Sequence, residues 1–119
     1  ITLIGIKGNN DGDIYQLLQL FTQYKWTFKA EPSVISVNDK RILIVHGYSG
    51  VEETIKLINA WASSLNVDAI LYGHTHKVDL RKVNGKLILN PGEVCGYITG
   101  KSSYAILDLK NLEAEVYML

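Results

Sequence analysis

Gly73-His74-Thr75-His76 holds two of the three histidines in this 119-residue chain, one residue apart. Imidazole is the commonest protein ligand for divalent transition metals, so His-x-His at one place is a candidate metal site. The apolar run Ala69-Ile70-Leu71-Tyr72 precedes it and reads as a buried strand. Gly73 lets the chain turn at the strand end. The third histidine, His46, closes a second apolar run, Ile42 to Val45, and Gly47 follows it. Gly8-Asn9-Asn10-Asp11 follows the apolar run from Ile1 to Ile6, and Asn90-Pro91-Gly92-Glu93 follows Leu87-Ile88-Leu89. Four times, then, an apolar strand gives way to a glycine-containing polar turn carrying Asn, Asp, His or Glu. Loops at strand ends are where α/β folds usually place their chemistry.

The elements that must position these turns follow from periodicity. Ile1 to Lys7 is expected to be a strand. Asp11 or Asp13 is expected to cap a helix whose apolar face is Ile14, Leu17, Leu18 and Phe21, running to about Tyr24. Val34 to Val37 and Arg41 to Val45 read as a hairpin around Asn38-Asp39. Ser49-Gly50-Val51-Glu52 reads as a capping box opening a second helix, with Val51, Ile55, Ile58, Ala62 and Leu65 on one face. Asp68 to Tyr72 is the next strand. Val78 to Val83 and Lys86 to Leu89 form a hairpin around Asn84-Gly85, and residues 104–109 and 112–117 form another. Helices early and hairpins late suggest an α/β fold with two packed sheets and helices outside.

Composition narrows the function classes. A 47% hydrophobic and 20% charged content fits one packed domain over residues 1–119. Twelve basic residues balance twelve acidic ones, so no basic field advertises a nucleic-acid or membrane surface. The only cysteine, Cys95, rules out a disulfide framework and suits a reducing, cytoplasmic compartment. It reads as a small buried residue, with nothing nearby to activate its thiol. Trp26 and Trp61 read as packing residues. Lys77 reads as solvated, with a contact to phosphate as the functional alternative. Arg81, Lys82 and Lys86 read as an exposed basic face.

The ordered set Gly-Asn-Asn-Asp, His46-Gly47, Gly-His-Thr-His and Asn-Pro-Gly-Glu resembles the calcineurin-like metallophosphoesterase superfamily. It looks closest to the small archaeal and bacterial phosphodiesterases, and the likeness extends through the segment NPGEVCGYITG. The resemblance implies a four-layer α-β-β-α sandwich of two mixed sheets. It implies two divalent ions, manganese first with nickel, iron or zinc as alternatives, and hydrolysis of phosphodiesters by a metal-bridging hydroxide. By position, Asn9, His46 and His74 would hold one ion and His76 the other. Asp11 would support the Asn9 loop. Glu93 is assigned no role in the chemistry.

Three departures accompany the match. The family's Asp-x-His has no counterpart in these residues, and neither does the Gly-Asp that supplies its bridging carboxylate. The expectation is a domain lacking its first βαβ unit, which would expose the strand at Ile1–Ile6. Asn10 stands where relatives carry a histidine that contacts phosphate, and Tyr48 stands where many repeat a histidine after His-Gly. Asn10 is still the expected catalytic contact, but an amide cannot act as an acid, so poor leaving groups would turn over slowly. The expected substrate is a small phosphodiester. A nucleic-acid substrate is disfavoured by the zero net charge, no membrane association is expected, and homo-oligomerisation is left open. The alternative from the same resemblance is a non-catalytic scaffold, a role the fold plays in the retromer coat.

Overall fold

A computed structural model describes all residues, 1–119. The strands are β1 (Ile4–Ile6), β2 (Thr27–Lys29), β3 (Ser33–Val37), β4 (Lys40–Val45), β5 (Ala69–Tyr72), β6 (Asp79–Val83), β7 (Lys86–Asn90), β8 (Ser103–Asp108) and β9 (Glu113–Met118). The helices are α1 (Ile14–Gln23) and α2 (Val51–Ser64). Neither is long and apolar enough to cross a membrane.

Five strands form a mixed sheet in the order β3-β4-β5-β7-β6. The three central strands run parallel, and the two outer ones pair antiparallel. Side chains alternate across the sheet, as the pleat requires. Leu43, Val45, Ile70, Tyr72 and Ile88 meet Ile58 and Ala62 of α2 in the main core. Ile42, Ala69 and Leu87 face the other way and pack against Leu107, Leu109, Leu112 and Ala114 of the β8–β9 hairpin. Sheet and hairpin are thus stacked face to face. The two tight hairpins turn where the sequence places them: Asn38 and Asp39 have φ of 48° and 64°, and Asn84 and Gly85 have 52° and 76°. Positive φ at both central residues gives the turn that matches strand twist.

The second layer differs from the single mixed sheet expected. The strands outside the five-stranded sheet form two separate pairs, parallel β1–β2 and antiparallel β8–β9, of which β8–β9 packs on the sheet. β2 has no counterpart in the sequence reading; at three residues it is too short to show a period. Its place is fixed by Phe28 and Trp26, both edge-on to Phe21 of α1. The strand expected from residue 1 begins only at Ile4, and Ile1, Leu3 and Ile4 are exposed.

Local corrections have local causes. Of the two caps the sequence offers, Asp13 is the one used, accepting from the Gln16 N–H at 2.9 Å. α2 is capped at Gly50 without a side-chain bond, so the capping box at Ser49 does not form. Ser49 instead sits at φ 54°, with its carbonyl turned to His74. Lys86 does not belong to an exposed basic face. Its ammonium donates to the Ala62 carbonyl at 2.7 Å and also to that of Leu65, closing the C-terminal end of α2. Arg81 turns onto Asp79 at 2.9 Å. Cys95 is exposed, not buried, as is its neighbour Val94 in the bend after Glu93. Trp26 and Trp61 are packing residues, as expected.

Candidate metal centre

β4, β5 and β7 run parallel, so their carboxyl ends reach the same edge of the sheet. That edge receives His46, Gly73-His74-Thr75-His76 and Pro91-Gly92-Glu93, and the loop after β1 brings Asn9 to it. His46 and Gly73 leave side by side, tied by a bond from Gly73 N–H to the His46 carbonyl at 3.0 Å.

Three side-chain atoms converge there. His46 Nε2 lies 2.7 Å from Asn9 Oδ1, His74 Nδ1 lies 3.3 Å from that oxygen, and the two imidazole nitrogens are 3.2 Å apart. Around a divalent ion with bonds of about 2.1 Å, neighbouring ligand atoms stand about 3.0 Å apart in octahedral and about 3.4 Å in tetrahedral geometry. The two sides at His74 Nδ1, 3.3 and 3.2 Å, fall in that range, while His46 Nε2 and Asn9 Oδ1 at 2.7 Å stand closer, at hydrogen-bond distance; the amide oxygen and imidazole donors suit first-row divalent metals. Nowhere do three His, Cys, Asp or Glu side chains gather into a ligand group, so the trio depends on the Asn9 amide.

Each member is held from behind. His74 Nε2 donates to the Ser49 carbonyl at 2.6 Å, which leaves Nδ1 with its lone pair facing the trio. The Glu31 carboxylate accepts from the backbone N–H of His46. Asp11 accepts from Gly8 N–H at 2.6 Å, which closes the loop carrying Asn9. Burial and the adjacent His74 lower the pKa of His46, against an opposing pull from Glu31 and Asp11; the neutral imidazole is the form that can donate a lone pair. Gly47 has φ 133°, and a Cβ there would fall 2.7 Å from the His74 Cβ. Only glycine lets the two histidine loops approach this closely.

Asn90 joins two of the loops. It is fully buried; its amide donates to Gly73 O at 3.1 Å and to Thr75 Oγ1 at 3.0 Å, and its oxygen accepts from Gly92 N–H at 3.0 Å. His76 hydrogen-bonds to none of the trio. Its Nδ1 meets Glu93 Oε2 at 2.6 Å. Asn10 is exposed beside Asn9. Lys77 is exposed too, and with His76, Lys101, Ile98 and Met118 it borders a cavity of about 450 Å³. The sequence reading did not find Glu31, Ser49 or Glu93 as supports. Glu93 alone carried a signal, as an acid in a polar turn after a strand.

Known proteins share sequence and fold with this chain. A profile described as the calcineurin-like phosphoesterase superfamily domain matches residues 1–112. The chain is 33% identical over 114 residues to phosphodiesterase MJ0936 of Methanocaldococcus jannaschii, covering 93% of this chain and 64% of that protein. It is 33% identical over 85 residues to the probable metallophosphoesterase YsnB of Bacillus subtilis, covering 70% of this chain and 50% of that one. The chain thus spans less than two thirds of the length of either relative. Among solved structures, an archaeal phosphodiesterase superposes with a TM-score of 0.83 at 29% identity, over 98% of this chain and 68% of that one. Vps29 of Entamoeba histolytica, solved with zinc, superposes with a TM-score of 0.66 at 23% identity, over 99% of this chain and 74% of that one, and so shares the fold. With the profile running through every loop of the site and the α/β architecture shared, the chain belongs to the calcineurin-like phosphoesterase superfamily.

Proposed function

We propose that this domain takes part in metal-dependent hydrolysis of small phosphodiesters, with one divalent ion held by Asn9, His46 and His74 and a second served by His76. The observation that carries the reading is the triangle of Asn9 Oδ1, His46 Nε2 and His74 Nδ1. Such ions, when bound, supply Lewis acidity toward a phosphoryl oxygen and a water ionised near neutral pH. The chain's own part is to hold neutral imidazoles in fixed orientation and to offer Asn10, at the exposed tip of the same loop, as a hydrogen-bonding group for phosphate. His76 alone is too few donors for a second ion, so its other ligands, with any carboxylate shared between the ions, would have to be supplied from outside these 119 residues. Manganese is the metal proposed first. The small substrate follows from the balanced charge, and a reducing compartment from the single cysteine.

The test uses the full-length protein, stripped with a chelator and assayed on bis(p-nitrophenyl) phosphate with Mn²⁺ restored. Activity that returns with metal and is lost in His74→Ala supports the reading. No turnover with Mn²⁺, Ni²⁺ or Zn²⁺ overturns it and leaves the scaffold alternative. Asn10→Ala should slow turnover in the same assay.

A further inference from the structure

Glu93 is 7% exposed, and all its hydrogen bonds are ones it accepts. Oε1 takes the Ile98 N–H at 2.8 Å, the Thr99 N–H at 2.6 Å and the Thr99 hydroxyl at 2.9 Å. Oε2 faces His76 Nδ1 at 2.6 Å, with the Cys95 thiol at 3.7 Å. Burial alone would raise the pKa of this carboxyl. The donors converging on Oε1, two of them fixed backbone N–H groups, oppose that and favour the ionised carboxylate. A carboxylate at that distance requires a proton on Nδ1 of His76. In the neutral ring the lone pair is then on Nε2, the opposite nitrogen.

We propose that Glu93 is a positioning residue that fixes the tautomer and ring orientation of His76, so that Nε2 is the atom presented to a divalent ion. The inference rests on the reading that His76 is a metal ligand. It explains why a buried acid sits in the turn after β7, where an anchor for the loop at Ile98–Thr99 would need only one carbonyl oxygen.

Glu93→Gln separates the two duties. Three donors converge on Oε1, so the glutamine carbonyl must stay there, and its NH₂ group then faces His76 Nδ1. A donor in that position forces the proton to Nε2 and removes the lone pair from the metal side. Thr99→Ala loosens the same loop without touching the tautomer.

The experiment is ¹⁵N-histidine NMR of the full-length protein at alkaline pH without metal, paired with Mn²⁺ titration by calorimetry. The expected result is an Nδ1–H tautomer for His76 in the wild type and in Thr99→Ala, and an Nε2–H tautomer in Glu93→Gln. Mn²⁺ affinity at the His76 site should fall roughly 10–100-fold in Glu93→Gln and stay unchanged in Thr99→Ala. Glu93→Gln with wild-type tautomer and affinity would overturn the inference and leave the metal reading intact. A wild-type protein that binds no Mn²⁺ would overturn both.

Discussion

Removing the Asn90 side chain tests whether the two loops on either side of it are held by one residue. In Asn90→Ala the Gly73 carbonyl, the Thr75 hydroxyl and the Gly92 N–H each lose a partner in the interior. The Thr75 hydroxyl can turn to another donor, and the Gly73 carbonyl keeps the bond it accepts from the Thr75 N–H at 2.7 Å, so the Gly92 N–H is the group left without a partner. A polar group left unpaired away from water costs about 1–3 kcal/mol. Water entering the vacated space would move the result toward the lower figure. Against a typical domain stability of about 5–15 kcal/mol this is a large fraction. Urea unfolding followed by circular dichroism in the full-length protein reads the difference as a shift in midpoint at constant slope. Asn90→Asp is the companion variant. It keeps the acceptor for Gly92 and the volume, but it places carboxylate oxygen against the Gly73 carbonyl. It should destabilise at least as much as alanine despite the closer shape. A loss below about 1 kcal/mol in both variants would refute the reasoning, because the bonds would then contribute no more than exposed ones.

Two further changes probe how the site is built. Gly47→Ala places a methyl 2.7 Å from the His74 Cβ and 3.0 Å from Thr54 Cγ2 at φ 133°. Strain and overpacking of about 1–3 kcal/mol each predict a lower melting temperature, and displacement of His74 predicts weaker Mn²⁺ binding in calorimetry. Lys86→Met keeps the stem but leaves the Ala62 and Leu65 carbonyls without the ammonium. A loss of about 1.5–3 kcal/mol in urea unfolding is expected, with activity per folded molecule unchanged.

Much of the site was legible because local signals and long-range ones coincide. An apolar run followed by glycine and histidine marks a strand end, and parallel pairing of β4 with β5 then makes His46 and His74 neighbours. Asn9 joins them through its loop. The supports were less legible, because they are made between segments distant in the chain. Glu31 lies 15 residues from the backbone N–H it accepts from, and Glu93 lies 17 residues from the ring it meets. No period or spacing in the sequence links such partners. β2 was invisible for a related reason, since its pairing with β1 and its packing on Phe21 define it more than its own three residues do.

Ser49 shows how the site can override a strong local rule. The sequence offers a good capping box, and forming it would add stability to α2 on the order of 1 kcal/mol. The chain gives that up, holds Ser49 at φ 54° and spends its carbonyl on His74 Nε2. His74 at φ 68° and His76 at φ 61° add two more residues in the left-handed region within the same few loops. Backbone strain of this kind persists only where surrounding bonds over-determine it, and here Ser49, Asn90 and Glu93 supply those bonds. A sheet edge built for stability alone would keep the cap and relax the histidines. Local rules fail here at the residues that hold the imidazoles, which is where a sequence shaped by a functional site is expected to break them.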